Sequence, residues 1–398
     1  MALNRLLLAS LATSAASATK LWVTSYAAPN EPLGKITTLE LSANGNSVST
    51  LSTLSTNQEC GSAPTWLDLS LGNGRIVCVD EGFATPNASI VTLEIAADGS
   101  LTAVGKADTI QGPVSTQFYN NNTAVALAHY GGSAISTFKV APDGSYAPLQ
   151  NFTFAITPGP RPEQEASHVH HSVIDPTGQY IVFPDLGADA TYVYAVDKST
   201  GNLKQLESIK APKPGYGPRH ATFWVSSNKK TYLFVINELA NRIVSYAVDY
   251  KRGGGVSFKQ VDEVGLYGDK PDPEGTRAAE ISVSPDNNFI IASNRNATIA
   301  EVANPDPSNS TQVPSDSLVT FKPCKDGKLT FVQLAPSGGK FPRHFKTNKD
   351  GSLIAIPNQN SGNVDVYARD VKSGKIGDRL ASAFGFAGGL TNVQWGEE

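Results

Sequence analysis

The chain has little sulfur and little charge: three cysteines and one methionine in 398 residues, with Asp, Glu, Lys and Arg together at 17%. Cys60, Cys78 and Cys324 allow one disulfide at most, and their spacing resembles no zinc site. The net charge of -4 comes with no run of Lys and Arg, which argues against nucleic acid and anionic membranes as partners. No CxxC element, Gly-rich phosphate loop or Ser nucleophile elbow occurs. Gly131-Gly132 and Gly253-Gly254-Gly255 sit in turn contexts. Beyond the N-terminus, no segment is long and apolar enough to span a membrane.

What the chain does have is repetition. An apolar strand, a tight turn and a second apolar strand ending in polar residues recur seven times. The second strands are Leu21–Tyr26, Arg75–Glu81, Ala124–Tyr130, Tyr180–Leu186, Tyr232–Glu238, Phe289–Arg295 and Leu353–Gln359. Their starts lie roughly 50 to 65 residues apart, the period of a propeller whose blades each hold several short strands. The 35 glycines and 25 prolines suit such a turn-rich fold. The expected fold is all-β, a seven-bladed β-propeller. The first repeat lacks its inner strand, and Gly388–Trp395 matches the pattern of Gly217–Trp224. The C-terminal strand is therefore expected to join the N-terminal blade and close the ring, removing exposed sheet edges. Ala297–Ser317, rich in Asn, Pro and Ser, reads as a surface excursion of the sixth blade.

The first 18 residues stand apart. Arg5, the apolar run Leu6–Leu11 and the A-x-A ending Ala16-Ser17-Ala18 read as a secretory signal peptide over 1–18, leaving 19–398 as one propeller domain. Export agrees with five glycosylation sequons, at Asn87, Asn121, Asn151, Asn296 and Asn309. In an oxidising compartment Cys60 and Cys78, within one repeat, are the expected disulfide, with Cys324 left over.

Repeat register also gathers residues distant in sequence. The start of an inner strand and the end of the next lie at one sheet edge, which faces one mouth of the channel. One ring of positions reads Thr65, Val114, His170, Arg219, Ala279 and Arg343. The other reads Tyr26, Glu81, Tyr130, Leu186, Glu238, Arg295 and Gln359. A histidine, glutamates and arginines at one mouth suit an anionic substrate undergoing proton transfer. His170, Glu238, Arg219 and Arg295 are the candidate catalytic residues. Arg343, His168, Glu81, Tyr130 and Gln359 are candidate substrate-binding residues. Strand alternation turns His171, His220 and His344 away, towards packing or hydrogen-bonding roles. The H-x-H of His168 and His170 has no carboxylate partner set by sequence, so neither a metal nor another cofactor is expected. Asp80, Asp185, Asn237, Asn294 and Asn358 recur at one blade position, as turn or interblade hydrogen-bonding residues would.

Several long segments carry a family resemblance: 167–194 (SHVHHSVIDPTGQYIVFPDLGADATYVY), 217–224 (GPRHATFW), 237–249 (NELANRIVSYAVD), 279–295 (AEISVSPDNNFIIASNR) and 341–370. In these the chain resembles the seven-bladed lactonase propellers, which include propeller-type 6-phosphogluconolactonase and the fungal carboxy-cis,cis-muconate lactonising enzyme. The resemblance is strongest over about 165–370. The His, two Arg and Glu proposed for the muconate enzymes fall on His170 in SHVHHS, Arg219 in GPRH, Glu238 in NELANR and Arg295 in SNR. It implies an enzyme that forms or opens a lactone on a small carboxylate-bearing molecule, as an isomerase or a hydrolase. The arginines would hold carboxylates, and His170 or Glu238 would move the proton. Export conflicts with the intracellular substrates of both named enzymes. A non-catalytic secreted or wall glycoprotein that binds through its propeller face is the alternative. A calcium-dependent propeller is disfavoured, since it would have six repeats and no arginines at the mouth.

Overall fold

Short, near-continuous apolar runs dictate strands whose two faces must both be covered. The computed structural model describes residues 18–44, 47–85 and 87–396, and in it seven antiparallel sheets follow one another round a ring. The expected signal peptide lies outside the described residues, apart from Ala18, which opens the first strand. No helix among the described residues is long and apolar enough to cross a membrane.

Blade I combines Leu390–Trp395 with Ala18–Ser25, Lys35–Asn44 and Ser47–Asn57. The inner strands of blades II and III are Pro64–Asp68 and Pro113–Tyr119, and that of blade IV is Val173–Ile174. Blades V, VI and VII begin with Pro218–Val225, Arg277–Val283 and Lys346–Thr347. The 297–317 excursion is a two-stranded hairpin, Ala300–Ala303 with Gln312–Ser315, standing off blade VI.

The ring closes as its ends require. Leu390–Trp395 pairs antiparallel with Leu21–Ser25. Thr391 Oγ1 donates to Pro64 O at 2.8 Å, Gln394 Nε2 to Leu67 O at 3.0 Å and Trp395 Nε1 to Lys346 O at 2.8 Å. Those bonds tie the C-terminal strand to the blades on both sides of it.

The core is not central. Seven apolar clusters each fill one wedge between neighbouring blades. Period-two alternation does the sorting. Ile290 and Ala292 pack towards blade V, while Ile291 between them packs towards blade VII. Cys60 and Cys78 are disulfide-bonded inside the wedge between blades I and II, and Cys324 is exposed. The recurrent Asp/Asn position ties turns together: Asp185 Oδ1 accepts from the amides of His168 and Ala188, and Asp80 Oδ1 from that of Ala63.

One backbone device positions the channel. At the start of the inner strand, blades I, II, III, V and VI carry a register shift opposite the second strand, at Thr391, Thr65, Val114, Arg219 and Ala279-Glu280. A bulge places two residues opposite one and breaks the in-out alternation. In blades II and V two successive residues, Thr65-Trp66 and Arg219-His220, then line the channel, as Arg343-His344 do in blade VII.

Candidate active site

The mouth-side ring holds Thr65, Val114, His170, Arg219 and Arg343, with Thr391 from the C-terminal strand, around a constriction of about 10 Å³. That is room for about one water. Trp66, His220, Glu280 and His344 line the same constriction. Here the expectation from strand alternation fails. His220 and His344 face the channel rather than the sheet, and Glu280 stands there instead of the expected Ala279. His171 joins the same layer by stacking on His220 at 4.3 Å.

Above the constriction lies an ion cluster. Arg219 Nε approaches Glu238 Oε2 at 2.9 Å, and Arg295 Nη2 reaches the same oxygen at 2.6 Å. The Arg219 Nε–H is not aligned for a hydrogen bond, so that contact is purely ionic. Arg219 Nη1 donates to Ala279 O at 2.8 Å and Arg295 Nη2 to Ala278 O at 2.9 Å. The Arg219 side chain is 1% exposed and that of Glu238 14%. Such a buried array is tolerable only because each charge meets an opposite charge or a carbonyl dipole. The Arg295 guanidinium also stands over the Phe341 ring, 5.0 Å from its centroid. Phe341 holds a left-handed backbone, φ 67°, and its amide donates to Asp316 Oδ2 at 2.8 Å. This is an uncommon conformation for a bulky residue, and here it holds the ring beneath Arg295.

A second group sits across the mouth. Arg343 Nη1 donates to Tyr26 Oη at 2.9 Å, and Tyr26 donates to Glu81 Oε1 at 2.5 Å. Arg343 Nη2 lies 3.9 Å from Glu81, and its side chain is 18% exposed. His168 stacks on Tyr130 at 4.1 Å and faces Glu165 Oε1 at 3.1 Å. Tyr130 also meets His170 edge-on. Gln359 is only partly exposed, and its Oε1 is buried without a hydrogen-bond partner among the described residues.

Burial governs the electrostatics. It holds His170, His171 and His220 well below the usual imidazole value, and Arg219 adds to the effect on His170. His344 is pushed down to about 3 by burial. For Glu238 burial acts upward, but Arg295 and then Arg219 outweigh it and keep the carboxylate below its usual range. Burial, then Arg295, lowers Arg219 to about 9, so it stays charged at neutral pH. Burial, then the charge of Glu238, raises Tyr130 to about 12. The site thus combines Arg219, charged at neutral pH, a Glu238 carboxylate committed to its arginines, and neutral imidazoles at His170 and His220. No group of His, Cys, Asp or Glu among the described residues is arranged to hold a metal.

Among known proteins, the family model "Lactonase, 7-bladed beta-propeller" matches residues 20–385. The chain belongs to this lactonase family. A probable 6-phosphogluconolactonase of Arthroderma benhamiae is 27% identical over 80% of this chain and 77% of its own length. The 6-phosphogluconolactonase of Formosa agariphila is 29% identical over 66% of this chain and 69% of its own. The periplasmic gluconolactonase of Pseudomonas aeruginosa shares the fold, with a TM-score of 0.77 and 23% identity over 95% of this chain and 99% of that one.

In this lactonase-family propeller, His170, Arg219 and Arg343 line the constriction, Glu238 and Arg295 are ion-paired beside Arg219, and Glu81, Tyr130 and His168 follow through their contacts with Arg343, His170 and each other. Sequence reasoning missed Trp66, Glu280, His220 and His344 in the deeper layer, and the part of Phe341. A signal was present: Pro-Arg-His occurs at both 218–220 and 342–344, so the two histidines had to share one rank. All five sequon asparagines are exposed.

Proposed function

We propose that this protein hydrolyses a lactone bearing an anionic group, and that it does so outside the cell. The observation that carries the reading is the convergence of Arg219, Arg295 and Arg343 on the mouth that neutral His170 lines. Guanidinium groups hold an anionic substituent and stabilise the oxyanion that develops at an ester carbonyl. His170 is the general base. It takes a proton from water as the water oxygen bonds to the carbonyl carbon, and the ring C–O bond then breaks. The leaving oxygen recovers that proton, and the product is a hydroxy acid. Glu238 Oε2 is engaged by both Arg219 and Arg295, so its role is to fix their direction.

Export is supported by the signal-peptide pattern of residues 1–18, five exposed sequons and the Cys60–Cys78 disulfide. Sugar phosphates are scarce outside cells, which favours a carboxylate-bearing lactone over a phosphorylated one. The same residues suit a different lactone chemistry, addition of a carboxylate across a double bond with a proton delivered to the neighbouring carbon, as in a muconate cyclase.

The test is a substrate panel: a neutral aldonolactone, its 6-phosphate, a carboxylate-bearing γ-lactone and a carboxymuconate. Hydrolysis of the carboxylate-bearing lactone, lost about 10²-fold or more in His170→Ala, is the expected result. Activity that survives both His170→Ala and Glu238→Gln overturns the site. Turnover of the muconate alone selects the cyclase reading, and no turnover at all favours a binding glycoprotein. N-terminal sequencing and glycan mass spectrometry of protein from the culture medium check export separately.

A further inference from the structure

A chain of side chains runs inward from His170. His170 Nδ1 lies 3.2 Å from His220 Nε2, and His220 Nδ1 lies 3.1 Å from Glu280 Oε1. Glu280 Oε1 also accepts from the amide of Ile281 at 2.9 Å. His344 Nε2 stands 3.5 Å from the other carboxylate oxygen, while His344 Nδ1 accepts from the Val393 amide at 3.4 Å. All of these groups are buried, and Trp66 packs edge-on against His220 and His344.

The protons follow from the partners. Burial keeps the imidazoles neutral, so each ring carries one N–H. Glu280 Oε1 is engaged as an acceptor by a backbone amide, so His220 Nδ1 must be the donor to it. His220 Nε2 is then a bare lone pair. It can be satisfied only if His170 carries its proton on Nδ1 and donates. His344, whose Nδ1 accepts from a backbone amide, carries its proton on Nε2, 3.5 Å from the other carboxylate oxygen, an approach too poorly aligned to be a hydrogen bond. His170 is left with Nε2 unprotonated, and among the described residues that nitrogen has no hydrogen-bond partner.

We infer that Glu280 is a positioning residue that acts through His220 to hold His170 in its Nδ1–H tautomer, presenting Nε2 as the proton acceptor. The inference rests on the reading of His170 as general base. It explains why a carboxylate occupies the deeper layer of blade VI, where no substrate reaches: only 5% of the residue is exposed. An imidazole in the other tautomer would present an N–H to the attacking water and could not take its proton.

The test is imidazole ¹⁵N NMR of the unliganded full-length protein at pH 7. Only six histidines are present, and His170 is assigned with His170→Gln. Wild type is expected to show His170 and His220 protonated at Nδ1 and His344 at Nε2. Glu280→Gln keeps an oxygen acceptor and should preserve this pattern. Glu280→Ala should release His170 to the Nε2–H form and lower kcat by about 10²-fold or more with KM little changed. An Nε2–H His170 in wild type, or a tautomer indifferent to Glu280→Ala, overturns the inference. If Glu280→Ala does not fold, the wild-type spectrum still decides. It also decides if no lactone is turned over, so failure of the relay and failure of the lactonase reading are told apart.

Discussion

Arg295 Nη2 lies 2.6 Å from Glu238 Oε2 across the boundary between blades VI and V, and both side chains are largely buried. Arg219 shares that oxygen, so one carboxylate compensates two guanidinium groups. Arg343, only 3.9 Å from Glu81, adds a third guanidinium at the mouth, and such groups suit an anion.

Removing that carboxylate strands two buried cations. Glu238→Gln is expected to cost about 3–5 kcal/mol of stability, the usual penalty for breaking a buried pair from one side. Adding Arg295→Met to Glu238→Gln should recover part of the loss. Urea denaturation of wild type, single and double variants checks this, and additive losses would show that the residues do not interact.

Arg343 is the most accessible of the three arginines, and it leans on Tyr26 rather than on a full ion pair. Arg343→Met keeps the side-chain length and removes the charge. KM for an anionic lactone should rise about 10-fold or more, equivalent to ~1.4 kcal/mol, while a neutral lactone is unaffected. Equal losses on both substrates in steady-state kinetics would make Arg343 a structural residue.

Acid should destabilise the protein well before its carboxylates titrate. Burial holds His170, His171 and His220 well below their usual value, His129 at about 4 and His344 at about 3. Unfolded histidines bind protons near pH 6.5, and these folded ones do not. Stability is therefore full above that pH and falls below it, by up to ~1.4 kcal/mol per pH unit for each histidine. Arg219, Arg295 and Arg343 oppose protonation of the channel histidines, while Glu280 favours it. Glu238, whose value is depressed, adds a loss in the same direction below about pH 4.5. Thermal melts should drop steeply between pH 7 and 5, and a flat profile would contradict the neutral channel.

Closure of the ring by the C-terminal strand makes a short truncation severe. Deleting 388–398 removes the inner strand of blade I and its bonds to Pro64, Leu67 and Lys346. The edge of Ala18–Ser25 and the apolar wedge between blades VII and I are opened together. The truncated chain should aggregate or elute expanded in size-exclusion chromatography, with loss of its β circular dichroism. A soluble, compact product would show that the ring holds without its clasp.

Local chemistry determined the architecture. Period-two runs such as Ile290-Ile291-Ala292 hand alternate side chains to opposite wedges, and seven such runs at a near-constant spacing make seven blades. Repeat register then brought His170, Arg219, Glu238, Arg295 and Arg343 to one mouth, because equivalent residues of a repeat share one height along the channel. The deeper layer was decided only by the tertiary structure. A bulge at the start of the inner strand is not written in any single repeat, and without it strand alternation sends His220 and Glu280 into the sheet. Their partnership depends on rings meeting across blades, between residues 50 or more positions apart. Which nitrogen faces which oxygen follows from how closely the closed ring packs, and no local sequence pattern carries that distance.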